Sequence, residues 1–423
     1  MTSADGGDSQ HAATSTIGAR WQNWAGNQQC RPTVVKPTCA AELQEAVADA
    51  ARRGGTVRVV GSGHSFTPLV CTDDVMVDVS ALSGVIEADT PNATAVVGAG
   101  TSLHDLVPQL WAAGLSLRNQ GDIDAQTIAG AVGTATHGSG RAFGSFSSAV
   151  RSIEYVGADA GLHTIDSTDA RFDAFRTSLG LLGIFTRIEL DLQPAYYLRE
   201  RIEHWPLSDV MQRWDVETST RRHFSFFWPP TDESLQMYGF APTAVEDGCH
   251  VKIYDEVSAR DAAASDAQDG SRIAPAYQIY ASDFDLAFHE LEYFVDFRHS
   301  RAAVDAMRAV MRDHPEQAFP LEVRTIAAEN AWLSPMYGTH SVSLSVSGVP
   351  GTDYRPFMQA VDAALRPFDA RPHWGKLHCF DRPRLRDAYP RFDDFTSLRT
   401  ELDPNGLFLN DHTAELFTET STA

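Results

Sequence analysis

The chain has 423 residues, 43% of them apolar and 21% charged, ordinary proportions for a globular protein that is too long for one average core. Its 56 acidic against 34 basic residues leave a net charge of −22, which excludes nucleic acid as a partner, because phosphate neutralisation needs basic patches. No run of about 18 uncharged apolar residues occurs, so no membrane span is predicted. The five scattered cysteines (Cys30, Cys39, Cys71, Cys249, Cys379) form no C-x-x-C pair, which argues against a disulfide framework or zinc site and for reduced thiols in the cytoplasm.

Residues 1–18 are small and polar without an apolar core, unlike a secretory leader, and are expected to be a disordered tail. The spacing of Leu43, Ala46, Val47 and Ala50 predicts a helix over 41–53. Val57-Arg58-Val59-Val60 reads as a short buried strand, and Val75-Met76-Val77-Asp78-Val79 as a second. Between them Gly61-Ser62-Gly63-His64-Ser65 must turn sharply, and Gly61 and Gly63 permit positive φ and close approach of a ligand. Consecutive N–H groups in such a turn form a nest for phosphate, with His64 beside whatever carries the phosphates. A tight turn with a surface histidine is the ordinary alternative. Thr94–Val97 is a short strand, and Ser102 is a candidate cap for a helix starting at Leu103 whose Leu106, Val107 and Leu110 share a face.

Gln120-Gly121-Asp122 and the run from Gly130 to Gly140 place small residues at nearly every position, so backbone can pack against a large flat ligand. This is not a G-x-G-x-x-G turn opening a helix, and a dinucleotide-binding Rossmann unit is disfavoured. Arg151–Val156 and Thr186–Leu190 alternate as half-exposed strands, with the glycines of Leu179–Ile184 between them allowing close packing. The first domain is expected to span 19–195. From 196 to 370 aromatic residues concentrate, as in Phe224–Trp228, and a long polar loop covers Asp255–Ser271. Strands over Glu290–Val295 and Ser341–Val346, with helices over 302–312 and 356–365, suggest an antiparallel sheet flanked by helices. His289-Glu290 has Tyr293 where a second zinc ligand would stand, so no metal site is expected. Glu322 and Arg324, two apart on a strand, point to one face, where they suit charged hydrogen bonds to a ligand; an ordinary ion pair is the alternative. Only three lysines occur (Lys36, Lys252, Lys376), so Lys376 in Arg371-Pro372-His373-Trp374-Gly375-Lys376 stands out as a compact charge that a guanidinium does not replace.

The ordered set Gly61-Ser62-Gly63-His64-Ser65, Thr136-His137-Gly138-Ser139-Gly140, Glu322-Val323-Arg324 and His373-Trp374-Gly375-Lys376 resembles the sugar-lactone oxidoreductases. These comprise L-gulono-1,4-lactone and D-arabinono-1,4-lactone oxidases or dehydrogenases, with the alditol oxidases as relatives, among FAD flavoproteins of the vanillyl-alcohol-oxidase type. The resemblance runs from about Trp21 to about Phe417. It implies an α+β, two-domain FAD-binding PCMH/vanillyl-alcohol-oxidase-type fold with an antiparallel cap sheet, and a segment 371–423 that returns to the FAD domain. It implies FAD covalently attached through His64 and contacted by Val60, with pyrophosphate on the Gly61 to Ser65 backbone (Gly61, Ser62, Gly63, His64, Ser65) aided by Thr134, His137, Gly138 and Ser139. By the same resemblance Gly180, Gly183 and Ile184 lie along the adenosine half, and Gly130 and Gly133 give the ring room. Gln120, Gly121, Asp122 and His373 complete the implied cofactor contacts, and Glu322, Arg324 and Lys376 the catalytic set. The implied reaction is oxidation of the C2 hydroxyl of a small aldono-1,4-lactone, with oxygen or an artificial or protein acceptor taking the electrons. The alternatives are an alditol oxidase acting on xylitol or sorbitol, and a noncatalytic flavin- or sugar-binding protein. One departure favours the lactone: the strand Ser341–Ser347 lacks the histidine that alditol oxidases supply there.

Overall fold

The computed structural model describes residues 14–16, 18, 20–231, 233–264, 270–281, 288–317, 319–349 and 351–419. Val57–Val60 and Thr33–Lys36 both run parallel to Val75–Asp78, between them. Thr14–Thr16 pairs antiparallel with the outer edge, at Val34–Lys36. That strand lies inside the segment expected to be a disordered tail. The exposed backbone edge of Thr33–Lys36 accounts for the difference, since an unpaired edge templates another strand; the tail's first 13 residues lie outside the described set.

A five-stranded antiparallel sheet (Leu162–Asp166, Val150–Val156, Ile184–Asp191, Thr94–Gly98, Val85–Asp89) completes this half. The helix Ala40–Arg52 sets Leu43, Val47 and Ala50 against Val57, Val75, Val77 and Val156 in one core between the two sheets. Ser102 caps the helix Leu103–Ala112, accepting from Asp105 N. Part of the small-residue run expected as backbone against a ligand folds as a short helix, Ile128–Gly133, capped by Thr127.

The other half is an eight-stranded sheet in the order Arg272–Pro275, Tyr197–Pro206, Gly248–Val257, His223–Trp228, Leu321–Ile326, Ser341–Gly348, His289–Asp296 and Arg371–Pro372, antiparallel throughout. The aromatic run Phe224–Trp228 is thus a central strand, buried on both faces. The polar loop expected over 255–271 is in part the end of a strand and the helix Ala259–Ala264; residues 265–269 lie outside the described set. Helices Leu207–Thr220, Ser300–Asp313 and Arg355–Leu365 cover one face, packing Trp214, Met307 and Val361 against Val323, Leu344 and Leu291. The opposite face is left for the first half of the molecule. Among the described residues no helix is long and apolar enough to cross a membrane, and all five cysteines are free thiols.

The C-terminal segment contributes to both halves. Arg371–Pro372 extends the cap sheet beside Tyr293 and Phe294. Farther on, Val57 N donates to Leu407 O at 2.7 Å and Asn410 Nδ2 to Cys71 O at 2.7 Å. Arg58, 1% exposed, donates to the carbonyls of Leu69 and Leu179 at 2.8 Å and to that of Phe408. Burial pulls its guanidinium down to about 10, offset in part by Asp403. Arg58→Met orphans these carbonyls, so urea unfolding should show a loss of about 3–5 kcal/mol. A loss under 1 kcal/mol would mean the tail is not held there.

Candidate functional site

The Gly61–Ser65 turn leaves the strand Val57–Val60 and crosses the mouth of a cleft of about 860 Å³, lined by Val59, Leu69, Val79, Leu179 and Phe185 and by Gly130, Gly133 and Gly183. Gly63 needs its positive φ of +66°. Gly61 does not have one; there a Cβ would meet Thr127 Oγ1 at 2.1 Å, so the requirement is close approach. Among the described residues, no hydrogen bond uses the N–H of Gly61, Ser62, Gly63, His64 or Ser65 as donor. Five consecutive free N–H groups opening onto an apolar slot suit the pyrophosphate and adenine of a dinucleotide. This cleft therefore fits FAD: the turn would hold the phosphates and the slot the adenosine.

His64, Ser65, Gln126 and Thr134 line this cleft and also a second cavity of about 870 Å³, so the two spaces meet at His64. Trp24 stacks on the His64 ring at 5.2 Å. Burial lowers the His64 pKa and keeps the imidazole neutral.

The second cavity is roofed by the polar face of the cap sheet. Alternation puts Glu322 and Arg324 on that face, and Glu290 and Glu292 likewise two strands away. Ser345 stands between Glu322 and Glu292 in the pairing register, and Ser343 between Arg324 and Phe294. The serines of Ser341–Gly348 are thus buried among the charged side chains of this face, Ser345 donating to Glu290 Oε1, and the valines and leucine of the strand join the core on the other face.

Lys376 arrives from the C-terminal segment. Gly375 O accepts from Phe66 N at 2.7 Å and Trp374 O from Thr67 Oγ1 at 2.8 Å, on the first domain. His373 N and Leu377 N donate to the carbonyls of Glu292 and Glu290 at 2.9 and 2.8 Å, on the cap. Pinned between them, the Lys376 ammonium lies 2.6 Å from Glu290 Oε1 and 2.7 Å from Glu292 Oε2. Burial opposes its charge, but the two carboxylates outweigh burial and raise its pKa. Glu292, fully buried, is likewise held ionised against burial by Lys376 and by His137, whose Nε2 is 3.3 Å away.

Arg324 Nη2 donates to Glu322 Oε2 at 2.6 Å, but Glu322 Oε1 and Arg324 Nε are buried without a protein partner. Burial pushes the Glu322 carboxyl up to about 7, with Arg324 the chief opposing influence. Burial also opposes the charge of Arg324, but Glu322 and Glu292 outweigh it and raise its pKa. His137, Glu292 and His373 have the spacing of metal ligands. Lys376 already neutralises Glu292, however, and His373 Nδ1 accepts from Gly375 N at 3.1 Å, so the arrangement is an ion-pair network.

Of the residues singled out in the sequence, Val60, Gly61, Ser62, Gly63, Gly130, Gly133 and Gly183 line the first cleft, and His64, Ser65 and Thr134 line both spaces. Gly121, Asp122, His137, His373, Glu322, Arg324 and Lys376 line the second. Gln120, Gly138, Ser139 and Ile184 line neither cavity. Gly138 is needed where it passes Gln120 O, which a Cβ would meet at 2.2 Å. Ser139 O accepts from His223 Nδ1 at 2.7 Å, and Ile184 lies in the core between the sheets. Glu292 was not singled out, and Glu290 only within the rejected His289-Glu290 zinc motif, although acidic residues two apart inside an apolar strand are the same signal as Glu322 and Arg324. Lys252, 3.1 Å from Asp122, was marked only by the scarcity of lysine.

The FAD binding domain profile matches residues 32–166 and that of D-arabinono-1,4-lactone oxidase residues 249–416. The chain is 34% identical to an L-gulono-1,4-lactone dehydrogenase of Mycobacterium tuberculosis, over 93% of this chain and 98% of that one. It is 31% identical to an alditol oxidase of a Streptomyces species over 92% of this chain and 96% of that one. It is 27% identical to the L-gulonolactone oxidase of Mus musculus over 95% and 98%. A cholesterol oxidase from B. sterolicum has the same fold, with a TM-score of 0.77 at 16% identity over 98% of this chain and all of that one. With a cleft that fits FAD opening at His64 onto a charged cavity, and relatives matched along nearly their whole length, the chain belongs to the family of FAD-dependent sugar-lactone oxidoreductases.

Proposed function

We propose that this protein oxidises the C2 hydroxyl of a small aldono-1,4-lactone of the L-gulono or D-arabinono type. The observation that carries the reading is the buried ion pair of Glu322 and Arg324, at 2.6 Å, lining a cavity that joins the FAD cleft at His64. Bound FAD supplies a hydride acceptor. Glu322 takes the hydroxyl proton, because its pKa of about 7 gives it both a carboxylate fraction and basicity near neutral pH. Arg324 keeps that carboxylate oriented and donates to a lactone oxygen. Lys376, held by Glu290 and Glu292, places a fixed positive charge where negative charge grows during the transfer.

The covalent bond to FAD belongs to the same reading. A neutral imidazole held against Trp24 at the junction of the two spaces is a competent nucleophile. Acid precipitation should leave the yellow colour in the pellet, and His64→Ala should release it to the supernatant. Release from the wild type would remove the covalent bond from the reading.

Anaerobic titration of the purified protein tests the function. L-gulono- or D-arabinono-1,4-lactone should bleach the flavin absorbance, and xylitol and sorbitol should not. Bleaching by the polyols alone overturns the lactone reading, and admitting air afterwards shows whether oxygen takes the electrons.

A further inference from the structure

Lys252 takes no part in the chemistry above, yet it is buried to 7% exposure in a chain with three lysines. It rises from the cap strand Gly248–Val257, and its Nζ stands 3.1 Å from Asp122 Oδ1 on a loop of the FAD-binding half. The ion pair therefore crosses between the two halves at the cavity wall. The ammonium also lies 5.9 Å from the Phe227 ring, which lines the cavity, and 5.6 Å from that of Tyr254.

Only one oxygen of Asp122 is used this way. Asp122 lines the charged cavity, and its Oδ2 has no protein donor among the described residues. Burial favours the neutral acid there, but Lys252 and then Arg324 keep the carboxyl below its ordinary range. The result is a rigid acceptor with one oxygen open.

Across the sheet the pair lies on the side of Glu322 opposite Lys376. Lys376 meets the sheet at His289–Asp296, and Lys252 leaves it from Gly248–Val257, four strand spacings across at roughly 5 Å each. A sugar lactone carries further hydroxyl groups beyond the carbon that is oxidised. We propose that Lys252 is a positioning residue that holds Asp122 as acceptor for those distal hydroxyls, so that the pair sets the preference for polyhydroxylated lactones over plain hydroxylactones. This rests on the lactone reading above.

The test compares L-gulono-1,4-lactone with 2-hydroxy-γ-butyrolactone, which keeps the reacting hydroxyl and lacks the distal ones. The quantity read is the ratio of their kcat/KM values, with an artificial electron acceptor. Lys252→Met should lower that ratio about tenfold, mainly through a higher KM for the sugar lactone, the scale of one lost hydrogen bond to a charged group. Lys252→Arg should restore part of it. Asp122→Asn, nearly isosteric, reads the same ratio if the methionine variant fails to fold. A purely structural role would lower both substrates alike and leave the ratio unchanged, and that result overturns the proposal. A wild-type protein reduced by neither lactone overturns the functional reading first, and is recognised before any variant is made.

Discussion

Lys376→Met should lower kcat/KM for the lactone by roughly a thousandfold, the upper range for removing one preorganised charge from a buried site. Methionine keeps most of the length and apolar stem of lysine, so the loss falls on the ammonium. That ammonium is the shared partner of Glu290 and Glu292, at 2.6 and 2.7 Å. Without it two carboxylates face each other in a buried cavity, and one must take a proton or the cap must shift. Urea unfolding should therefore also show a loss of about 3–5 kcal/mol, the usual effect of stranding a buried charge. Lys36→Met is the control: its ammonium is half-exposed and 3.6 Å from Asp78, so neither quantity should change. Rapid-mixing reduction by lactone under anaerobic conditions separates the chemical step from reoxidation. A rate within tenfold of wild type would remove Lys376 from the chemistry.

The second large effect concerns Glu322. With its pKa near 7, the carboxylate proposed to accept the hydroxyl proton is the minority form below pH 7 and the majority form above it. The kcat/KM should rise about tenfold per pH unit on the acid side and level off above about pH 7. Glu322→Gln should remove that limb and reduce the rate by about a hundredfold or more. Stability carries the opposite sign. The folded pKa lies above the unfolded one, so the native state binds the proton more tightly. The stabilisation this gives is complete below the unfolded pKa and is lost as pH rises through about 7. Thermal unfolding at pH 5 and pH 8 should show the difference narrowing in Glu322→Gln. An activity profile without an inflection between pH 6 and 8 would assign the proton to another group.

Much of the site was legible because its chemistry is local. At Gly63 the turn needs glycine for a local reason, its positive φ, whereas Gly61 is required only because Thr127 from a distant part of the chain packs against it. The Glu322–Arg324 pair is a period-two pattern that stays on one face wherever the strand lies. Glu290 and Glu292 were legible by the same rule, but a carboxylate pair on a half-exposed strand is ordinary. It becomes significant only because a second domain and Lys376 bury it, and these meet the strand 86 residues away in sequence. Asp122 shows the same limit. Its neighbours Gln120 and Gly121 suggested one cofactor loop, but the chain turns there: Gln120 is buried behind Gly138, and Asp122 faces Lys252 across the domain boundary.

By itself the sequence determined the strands and helices whose apolar spacing is regular and the glycine turn between Val60 and Phe66, because these follow from side chains within a few positions. The tertiary structure decided which polar residues become buried together. It buried the serines of Ser341–Gly348, moved the carboxyl of Glu322 to about 7, and turned one of three lysines into a bridge between halves. The physical reason is that desolvation and charge pairing depend on what covers a face, and here the cover comes from distant parts of the chain.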